Sequence, residues 1–242
     1  MHKQRKNYQQ GEVMIKHIAI VMDGNRRWAR ERGFVPMSGH SEGAKSVKKV
    51  VEFCLKKNIR YASLYTFSLE NFKRTETEKS FLFDLLVRES KTVLPELLEK
   101  EVRVRFVGDR TLFPDSVSQT CDFIEKKTAH LDKLTVNFLF CYGGRQEIVE
   151  SARKIAHKVK AGELKEEDIT DEVVAQNTWC GAIPDPEIIV RTGGEKRVSN
   201  FLLYQSAYSE FYFLDKFWPA ISVQDLDGIY EDFTSRHRRF GK

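Results

Sequence analysis

Charged side chains and glycines follow the apolar runs of this sequence, at the points where loops would begin. Residues 23–28 read Asp-Gly-Asn-Arg-Arg-Trp, and residues 191–200 contain two arginines and a Gly-Gly pair. Comparable segments lie at 68–74, 108–110 and 142–145. Glycine lets the backbone approach a ligand, arginine presents a planar fork that matches phosphate oxygens, and an isolated carboxylate can hold a divalent cation. Together these segments predict a diphosphate-binding site.

Strands must bring these segments together. Short apolar runs rich in β-branched and aromatic residues predict strands at residues 18–22, 61–67, 102–107, 135–140, 188–190 and 210–214. Most of the runs are continuous rather than alternating, which is typical of parallel strands covered on both faces. Because ligands bind beyond the carboxyl ends of parallel strands, the polar segments should meet at one edge of the sheet.

Helices are predicted between the strands. Apolar residues at helical spacing form one stripe each over residues 47–55 and 148–159. Capping-box spacing marks helix starts at Thr75 and Ser222. The alternation of strands and helices predicts an α/β fold, with a single domain built on a mostly parallel central sheet flanked by helices.

The composition narrows the classes of function. The chain has 242 residues, 41% of them hydrophobic, and 40 Lys and Arg against 35 Asp and Glu give a net charge of +5. These values are ordinary for a folded globular protein. The mild basicity fits anionic small molecules or an anionic membrane surface. It is weaker than the concentrated basic face of a nucleic-acid binder, so we expect no nucleic-acid partner.

The N-terminal segment and the cysteines indicate the cellular compartment of the protein. The first apolar run, at residues 18–22, is too short for a secretion signal or a membrane span. The four cysteines lack metal-ligand spacing, which favours reduced thiols. We therefore expect a cytoplasmic protein, peripheral at the inner membrane face at most. Residues 1–14 are expected to form a basic flexible tail and residues 15–242 the domain.

Two other phosphate-binding motifs are excluded. Residues 39–46 read Gly-His-Ser-Glu-Gly-Ala-Lys-Ser, with three residues between the glycines and an alanine before the lysine. A P-loop needs four residues there and a lysine directly after the second glycine. No Gly-x-Gly-x-x-Gly follows the first predicted strand, so the sequence lacks the fingerprint of a dinucleotide site.

Several motifs occur in a fixed order along most of the chain. They comprise residues 17–29, Gly39, His40, Gly43, Ser68, Glu70, Asn71, Arg74, residues 142–145, residues 191–195, Arg197, residues 199–203 and Glu210. This set resembles the cis-prenyltransferase family, and within it the undecaprenyl diphosphate synthases, from about Ile15 to Gly241.

The resemblance implies a reaction. Family members condense isopentenyl diphosphate sequentially onto an allylic diphosphate, here expected to be farnesyl diphosphate, and form new cis double bonds. The expected product is a long-chain polyprenyl diphosphate, the precursor of the undecaprenyl carrier lipid of cell-wall synthesis. Mg²⁺ is the implied cofactor, and a homodimer is the implied assembly.

The resemblance also implies roles for individual residues. Asp23 would be the catalytic carboxylate that places Mg²⁺, and Glu210 a second metal carboxylate, contributed across the dimer interface. Asn71 would accept the proton, although an amide is a weak base, so the departing diphosphate or a carboxylate remains an alternative. Arg191, Arg197 and Ser199 would clamp isopentenyl diphosphate. The other implied substrate-binding residues are Gly24, Asn25, Arg26, Arg27, Trp28, His40, Ser68, Leu69, Glu70, Phe72, Arg74 and Val198.

The sequence departs from the family pattern at three positions. Phe72 and Tyr204 stand where tryptophan is common, and both keep an aromatic wall. Pro36 stands where an arginine often precedes the Gly-His pair, and Arg30 or Arg32 would compensate if their helix points inward.

A long apolar helical pattern at residues 81–98 has two interpretations. It is either the wall of an apolar product tunnel or plain core, since apolar residues at helical spacing are common in both.

Three other function classes fit the sequence less well. A non-catalytic partner subunit would be expected to lack the metal carboxylate or the clamp arginines, which this sequence retains. A nucleic-acid module would place its arginines along one face rather than in separate loops. Trans-type prenyl synthases carry an Asp-Asp-x-x-Asp motif, which is absent from this sequence.

Overall fold

The computed structural model describes residues 15–236 of the chain. The expected tail at residues 1–14 and the last residues, 237–242, lie outside this range. Within it the chain forms an α/β domain with one sheet.

The sheet has six strands, all parallel, in the order β3-β4-β2-β1-β5-β6. The strands are β1 (His17–Val21), β2 (Tyr61–Ser68), β3 (Val102–Val107), β4 (Leu134–Tyr142), β5 (Ile188–Arg191) and β6 (Glu210–Phe213). The strand predictions are confirmed, with ends that differ by one or two residues. The continuous runs are explained by burial, because every residue of β1 and β5 is buried.

Seven α-helices connect the strands of the described chain. They are α1 (Asn25–Glu31), α2 (Pro36–Lys56), α3 (Glu76–Glu99), α4 (Asp115–Thr128), α5 (Gly144–Lys160), α6 (Asp171–Asn177) and α7 (Val223–Ser235). Thr75 caps α3 by accepting the Glu78 N–H, and Ser222 forms a capping box with Asp225 at the start of α7. Both predicted helix starts are confirmed. None of these helices is long and apolar enough to cross a membrane.

The sheet is covered on both faces. Ile18, Ile20 and Leu64 pack on one face with Val50 and Phe53 of α2 and with α7. The opposite face carries Ala19, Val21 and Ile189, which pack against residues 180–183 and 201–202. A third apolar cluster joins α3 and α4 to the β3 and β4 side of the sheet. Because both faces of the sheet are covered, a functional site has to lie at the strand ends or between the helices.

A polar network crosses the buried middle of the sheet. His17 is 1% exposed, and its Nδ1 lies 2.6 Å from the carbonyl oxygen of Pro184, so Nδ1 carries the hydrogen. Nε2 then accepts from Ser63 Oγ at 2.8 Å, and Asn137 donates to the same hydroxyl at 3.2 Å. Burial lowers the pKa of His17 to about 4, because a protonated ring would be a charge without water around it.

Candidate active site

A large cavity opens beyond the carboxyl ends of β1, β2 and β5. This main cavity has a volume of about 1040 Å³. Its mouth is polar and contains Asp23, Arg191 and Asn71, whereas its interior is apolar. The apolar lining comprises Val47, Val51, Phe67, Leu82, Leu85, Leu86, Val93, Leu97, Val104, Ile124, Val136, Phe138 and Phe140. Three of the predicted polar segments, at residues 23–28, 68–74 and 191–200, thus meet over an apolar channel. Segments 108–110 and 142–145 do not line this cavity, and Gly108 and Arg110 lie at a different one.

Asp23 lies at the mouth because the loop after β1 turns sharply. Gly24 has φ 103°, a left-handed conformation that glycine adopts without strain, and a Cβ there would collide with Phe217. The Asp23 carbonyl accepts from the Trp218 backbone N–H at 2.9 Å and from Thr192 Oγ1 at 2.7 Å. The backbone of Asp23 is therefore held from two sides, and its carboxylate is placed at the cavity.

Two arginines grip the Asp23 carboxylate. Arg191 Nη2 lies 2.9 Å from one oxygen and Arg27 Nη2 lies 3.2 Å from the other. Glu195 links Arg27 to Arg197, at 3.5 and 2.5 Å. The arrangement places three arginines around two carboxylates, Asp23 and Glu195, which leaves one surplus positive charge at the cavity mouth.

Arg191 is the most enclosed of these groups. It is 5% exposed, and its Nη1 donates to the Arg197 carbonyl at 2.5 Å and to Ser199 Oγ at 2.7 Å. Its Nε is buried and has no hydrogen-bond partner among residues 15–236. A buried cation with an unpaired donor is costly, and the donor is suited to an anionic oxygen. The three proposed clamp residues Arg191, Arg197 and Ser199 lie together.

A second basic group lies on the other side of the mouth. Glu78 of α3 pairs with Arg74 at 2.9 Å and with Arg26 at 3.4 Å, so two guanidinium groups share one carboxylate. Burial lowers the pKa of Arg74, and the neighbouring Arg26 acts in the same direction. His40 of α2 lies beside them. Burial first, and then Arg74 and Arg26, lower its pKa to about 4, and its Nε2 is buried without a partner among the described residues.

His40 reaches this place because α2 packs closely on the start of α1. A Cβ at Gly39 would clash with the backbone carbonyl of Asn25. The Gly39-His40 pair therefore combines a close helix contact with a neutral imidazole at the cavity.

The loop after β2 forms a 3-10 turn over Leu69–Lys73. The Ser68 side chain accepts from the Asn71 N–H, and Asn71 Oδ1 accepts from the Ser68 N–H at 3.2 Å. This reciprocal cap fixes Ser68 and Asn71 at the cavity wall. Because the Asn71 oxygen is already engaged, its amide nitrogen remains as a donor.

Asn200 holds three strand-end loops together. Its Nδ2 donates to Glu70 at 2.8 Å and to Gln146 at 3.1 Å, and its Oδ1 accepts from the Arg145 N–H at 2.8 Å. The positive φ of 64° at Asn200 suits asparagine better than most residues. No site role was predicted for Asn200, Glu195 or Glu78. Glu195 and Asn200 lie in the motif segments 191–195 and 199–203, and Glu78 lies in the capping-box spacing at Thr75, but none of these signals indicated the contacts that the residues make.

Most of the sequence-predicted residues lie at the main cavity, and five do not. Those that line it are Asp23, Gly24, Asn25, Arg26, Arg27, His40, Ser68, Glu70, Asn71, Arg74, Arg191, Arg197 and Ser199. Those absent from the lining are Trp28, Leu69, Phe72, Val198 and Glu210.

Three of these five positions have a structural explanation. Trp28 packs against Phe34, and Arg32 lies 4.5 Å above its ring. Leu69 and Phe72 pack in the apolar cluster of α3 and α4.

Glu210 lies at the other end of the sheet. It begins β6 and is paired in register with Ile188, whereas Val21, two residues before Asp23, is level with Phe213. That offset is three strand residues, roughly 10 Å. Glu210 accepts from Arg236 at 3.3 Å. Within one chain it is not part of the Asp23 cluster.

The loop around Pro36 takes a different form from the arginine pattern of the family. Pro36 is the first residue of α2, where a missing N–H costs nothing. Arg30 of α1 lines the main cavity, whereas Arg32 stacks on Trp28. Of the two candidates for compensation, Arg30 is the one at the cavity.

Asp23 is the carboxylate to test for a metal. Among residues 15–236, no group of three or more His, Cys, Asp or Glu side chains is arranged to hold a metal ion. Mg²⁺, however, often uses one or two carboxylates plus phosphate oxygens and retained waters. A lone, partly exposed Asp23 beside an anion site fits this mode of binding.

Comparison with known proteins agrees with this geometry. The sequence matches the prenyltransferase family described as "Putative undecaprenyl diphosphate synthase" over residues 21–241. The chain belongs to this family.

Similar relatives cover nearly the whole chain. The tritrans,polycis-undecaprenyl-diphosphate synthase (geranylgeranyl-diphosphate specific) of Pyrococcus furiosus is 41% identical over 95% of this chain and 88% of its own. The ditrans,polycis-undecaprenyl-diphosphate synthase ((2E,6E)-farnesyl-diphosphate specific) of Micrococcus luteus is 40% identical over 93% and 91%. The resemblance inferred from the motifs is confirmed.

Solved structures share the fold. Lavandulyl diphosphate synthase from Lavandula x intermedia, in complex with dimethylallyl diphosphate, superimposes with a TM-score of 0.92. It is 30% identical and covers 95% of this chain and 99% of its own. A probable undecaprenyl diphosphate synthase from Campylobacter jejuni has a TM-score of 0.79 at 36% identity, with 94% and 99% coverage. This prenyltransferase therefore has the α/β fold of its family.

Proposed function

We propose that this prenyltransferase condenses isopentenyl diphosphate repeatedly onto an allylic diphosphate to give a long-chain polyprenyl diphosphate. The observation that carries the proposal is the main cavity, with an arginine-rich mouth on an apolar channel of about 1040 Å³. This volume is at the upper end of ordinary ligand sites, about 300–1,000 Å³. A long apolar chain with an anionic head matches both parts.

The mouth residues can be divided between two diphosphates. Arg191, Arg197 and Ser199 would hold isopentenyl diphosphate, because they present an enclosed guanidinium, a second guanidinium and a hydroxyl. The loop at residues 24–27 would hold the allylic diphosphate, with Arg26 and Arg27 as cations. Arg74 and His40 border that loop, and neutral His40 would donate or accept a hydrogen bond rather than add charge.

Ionisation of the allylic substrate needs its leaving charge neutralised. Asp23 would hold Mg²⁺, which would supply part of that neutralisation. Arg27 and Arg191 now occupy the Asp23 oxygens, and substrate phosphates would draw these guanidinium groups away, which frees the carboxylate. Fixed cations in a partly buried mouth need little rearrangement as negative charge develops.

The proton lost in each condensation needs an acceptor. Asn71 lies at the cavity, but its oxygen already accepts from Ser68, and an amide is a weak base. We assign Asn71 to orientation of the substrate and the proton to a diphosphate oxygen held at the mouth. Ser68 and Glu70 would support the same loop.

We further propose a homodimer formed through the β6 edge. Phe211 and Phe213 stack on each other and remain 38% and 36% exposed, and Tyr208 beside them is 82% exposed. Exposed aromatic side chains on a sheet edge are typical of an interface. Glu210 lies in the same segment, so a second chain is the route by which it would reach a metal site.

Peripheral contact with the membrane is proposed for release of the lipid product from this otherwise cytoplasmic enzyme.

The decisive experiment measures product formation. Purified protein is incubated with radiolabelled isopentenyl diphosphate, Mg²⁺, and either farnesyl or geranylgeranyl diphosphate, because the two relatives above differ in primer. We expect long polyprenyl products that disappear with EDTA, and at least a roughly 100-fold lower rate for Asp23→Ala. Asp132→Ala, at an exposed position on the loop after α4, is the matched control and should retain full activity.

The alternatives give different results. A non-catalytic partner subunit would incorporate no label with any primer. A single condensation product would indicate a short-chain prenyl diphosphate synthase. Full activity of Asp23→Ala would refute the assignment of the site.

A further inference from the structure

A second cavity lies on the other side of β3. This β3-edge cavity has a volume of about 560 Å³ and lies between the outer edge of β3, α4, α5 and the segment after α6. Arg103 and Arg105 alternate along β3 with Val104, which also lines the main cavity. One edge strand therefore separates the two cavities. The second cavity shares only Gly108 and Arg110 with the polar segments predicted from the sequence.

The lining of the β3-edge cavity is strongly basic. It contains five basic side chains and one carboxylate, together with the indole of Trp179. The charged members are Arg103, Arg105, Arg110, Lys126, Lys154 and Glu125. Net basicity of the whole chain is only +5, so this cavity concentrates positive charge that the sequence average hides.

The single carboxylate is already engaged. Glu125 pairs with Arg110 at 2.5 Å and accepts from the Phe106 N–H at 2.6 Å. Among the described residues, Arg103, Arg105, Lys126 and Lys154 form no ion pair, in contrast to most cations at the main cavity. Four like charges around one concavity repel one another, which favours a bound anion.

The edge of β3 is also not available for strand pairing. Its outward N–H groups are taken by α4, at Val104 by Thr128 Oγ1 (3.1 Å) and at Phe106 by Glu125. The cavity thus offers side-chain cations rather than a backbone edge, which excludes addition of a peptide strand and favours a compact ligand.

We propose that the β3-edge cavity is a binding site for a phosphorylated small molecule with at least two negative charges. Arg103 and Arg105 supply guanidinium forks for phosphate oxygens, and Lys126 and Lys154 supply ammonium groups from the two flanking helices. Trp179, held edge-to-face by Tyr142 at 5.9 Å, supplies a flat wall for the rest of the ligand. The volume lies within the range of small-molecule sites.

The test uses the full chain and inorganic diphosphate as the probe. Calorimetric titration at low salt should show a second class of sites besides the active-site mouth, and Trp179 fluorescence should respond to it. In Arg103→Gln/Arg105→Gln we expect affinity for this second class to fall at least about tenfold. Lys127→Gln/Arg153→Gln removes the same charge from α4 and α5 outside the cavity and should bind normally.

The phosphate could be free or belong to a lipid headgroup, so a second arm uses vesicles of phosphatidylglycerol and phosphatidylcholine. If Arg103→Gln/Arg105→Gln loses binding in either arm of the experiment, the site is supported and the source of the phosphate is identified. Equal binding of the test and control variants in both arms would overturn it. Prenyltransferase activity of the variants is measured separately, so failure here is distinguishable from failure of the proposed function.

Discussion

Asp23 and Arg191 meet at 2.9 Å although 168 residues separate them in the chain. The side-chain type of each residue suits the contacts that it makes. Asp23 offers two oxygens to two arginines, and Arg191 uses both of its terminal nitrogens on different partners. At this scale the site depends on the planar fork of arginine, because one ammonium cannot reach both sides.

Arg191→Lys tests that dependence. The substitution keeps the charge but loses contacts on one side of the fork. Two charged hydrogen bonds at about 1.5 kcal/mol each predict a roughly 100-fold lower kcat/KM for isopentenyl diphosphate. Steady-state kinetics with each substrate varied would show the loss mainly for isopentenyl diphosphate. Arg153→Lys is the control, and wild-type kinetics for Arg191→Lys would contradict the clamp.

His17 predicts a pH dependence of stability. Its pKa is about 4 in the folded chain and about 6.5 when unfolded, so the unfolded chain binds the extra proton. His17 therefore contributes about 3 kcal/mol to the free energy of unfolding. This contribution is fully present above pH 6.5 and is lost as the pH falls to 4. Urea unfolding between pH 7 and pH 4.5 would measure it. His17→Asn should reduce this dependence to the part that comes from buried His40, whereas exposed His130→Asn should leave it unchanged. Equal slopes for all three proteins would refute the assignment.

At the scale of elements, the strands were predictable and several helices were not. Strands buried on both faces leave continuous apolar runs, so their predicted ends were within two residues. The first half of α2 was missed because Gly39 and Gly43 interrupt its helical pattern. Those glycines are required by the packing of α1 against α2. Close packing here overrides local propensity.

The residues of the site were likewise predictable only in part. Residues in strand-end loops were predicted because their types fit phosphate chemistry, and most lie at the main cavity. The role of Asn200 was not predicted, because Glu70 and Gln146 are distant from it in sequence and meet it only in the fold. Glu78 lies one helical turn from Arg74, but its second partner, Arg26, is distant in sequence. Trp28 and Phe72 have the right place in the motif, but their side chains pack against protein.

Helix α3 forms one wall of the main cavity, and its length should influence product size. Leu85 lines the cavity and is 8% exposed, so Leu85→Trp would fill the channel. We expect shorter products, measured by mass spectrometry of the extracted lipids. Leu98→Trp lies on the same helix, outside the cavity lining and 37% exposed, and should leave product length unchanged. Unaltered products from a folded Leu85→Trp would argue against α3 as the tunnel wall.

At the scale of the whole molecule, the position of Glu210 separates two arrangements. One chain places Glu210 and Asp23 at opposite ends of the sheet, so a shared metal role requires a second copy. A twofold dimer would supply Glu210 of one chain to the site of the other.

Mixing two inactive variants tests this arrangement. Asp23→Ala and Glu210→Ala chains are each expected to be inactive. If Glu210 acts across the interface, each mixed dimer has one intact site. After denaturation and refolding of an equal mixture, about a quarter of wild-type activity should return. Refolded wild-type protein is the reference, and no recovery would exclude exchange of Glu210 between chains.

The parallel sheet also has a consequence for biosynthesis. β1 lies in the middle of the sheet. Its neighbour β5 pairs with it, and Ile18 of β1 is level with Ile188 of β5. At about 5–20 residues per second, a ribosome needs roughly 10–30 s to travel between them. During that interval one edge of a strand that is fully buried in the finished fold has no partner, and Asp23 lacks its ion pair with Arg191. We therefore expect the half-made chain to bind chaperones, and we expect the cellular yield to depend on that protection as well as on the stability of the finished fold.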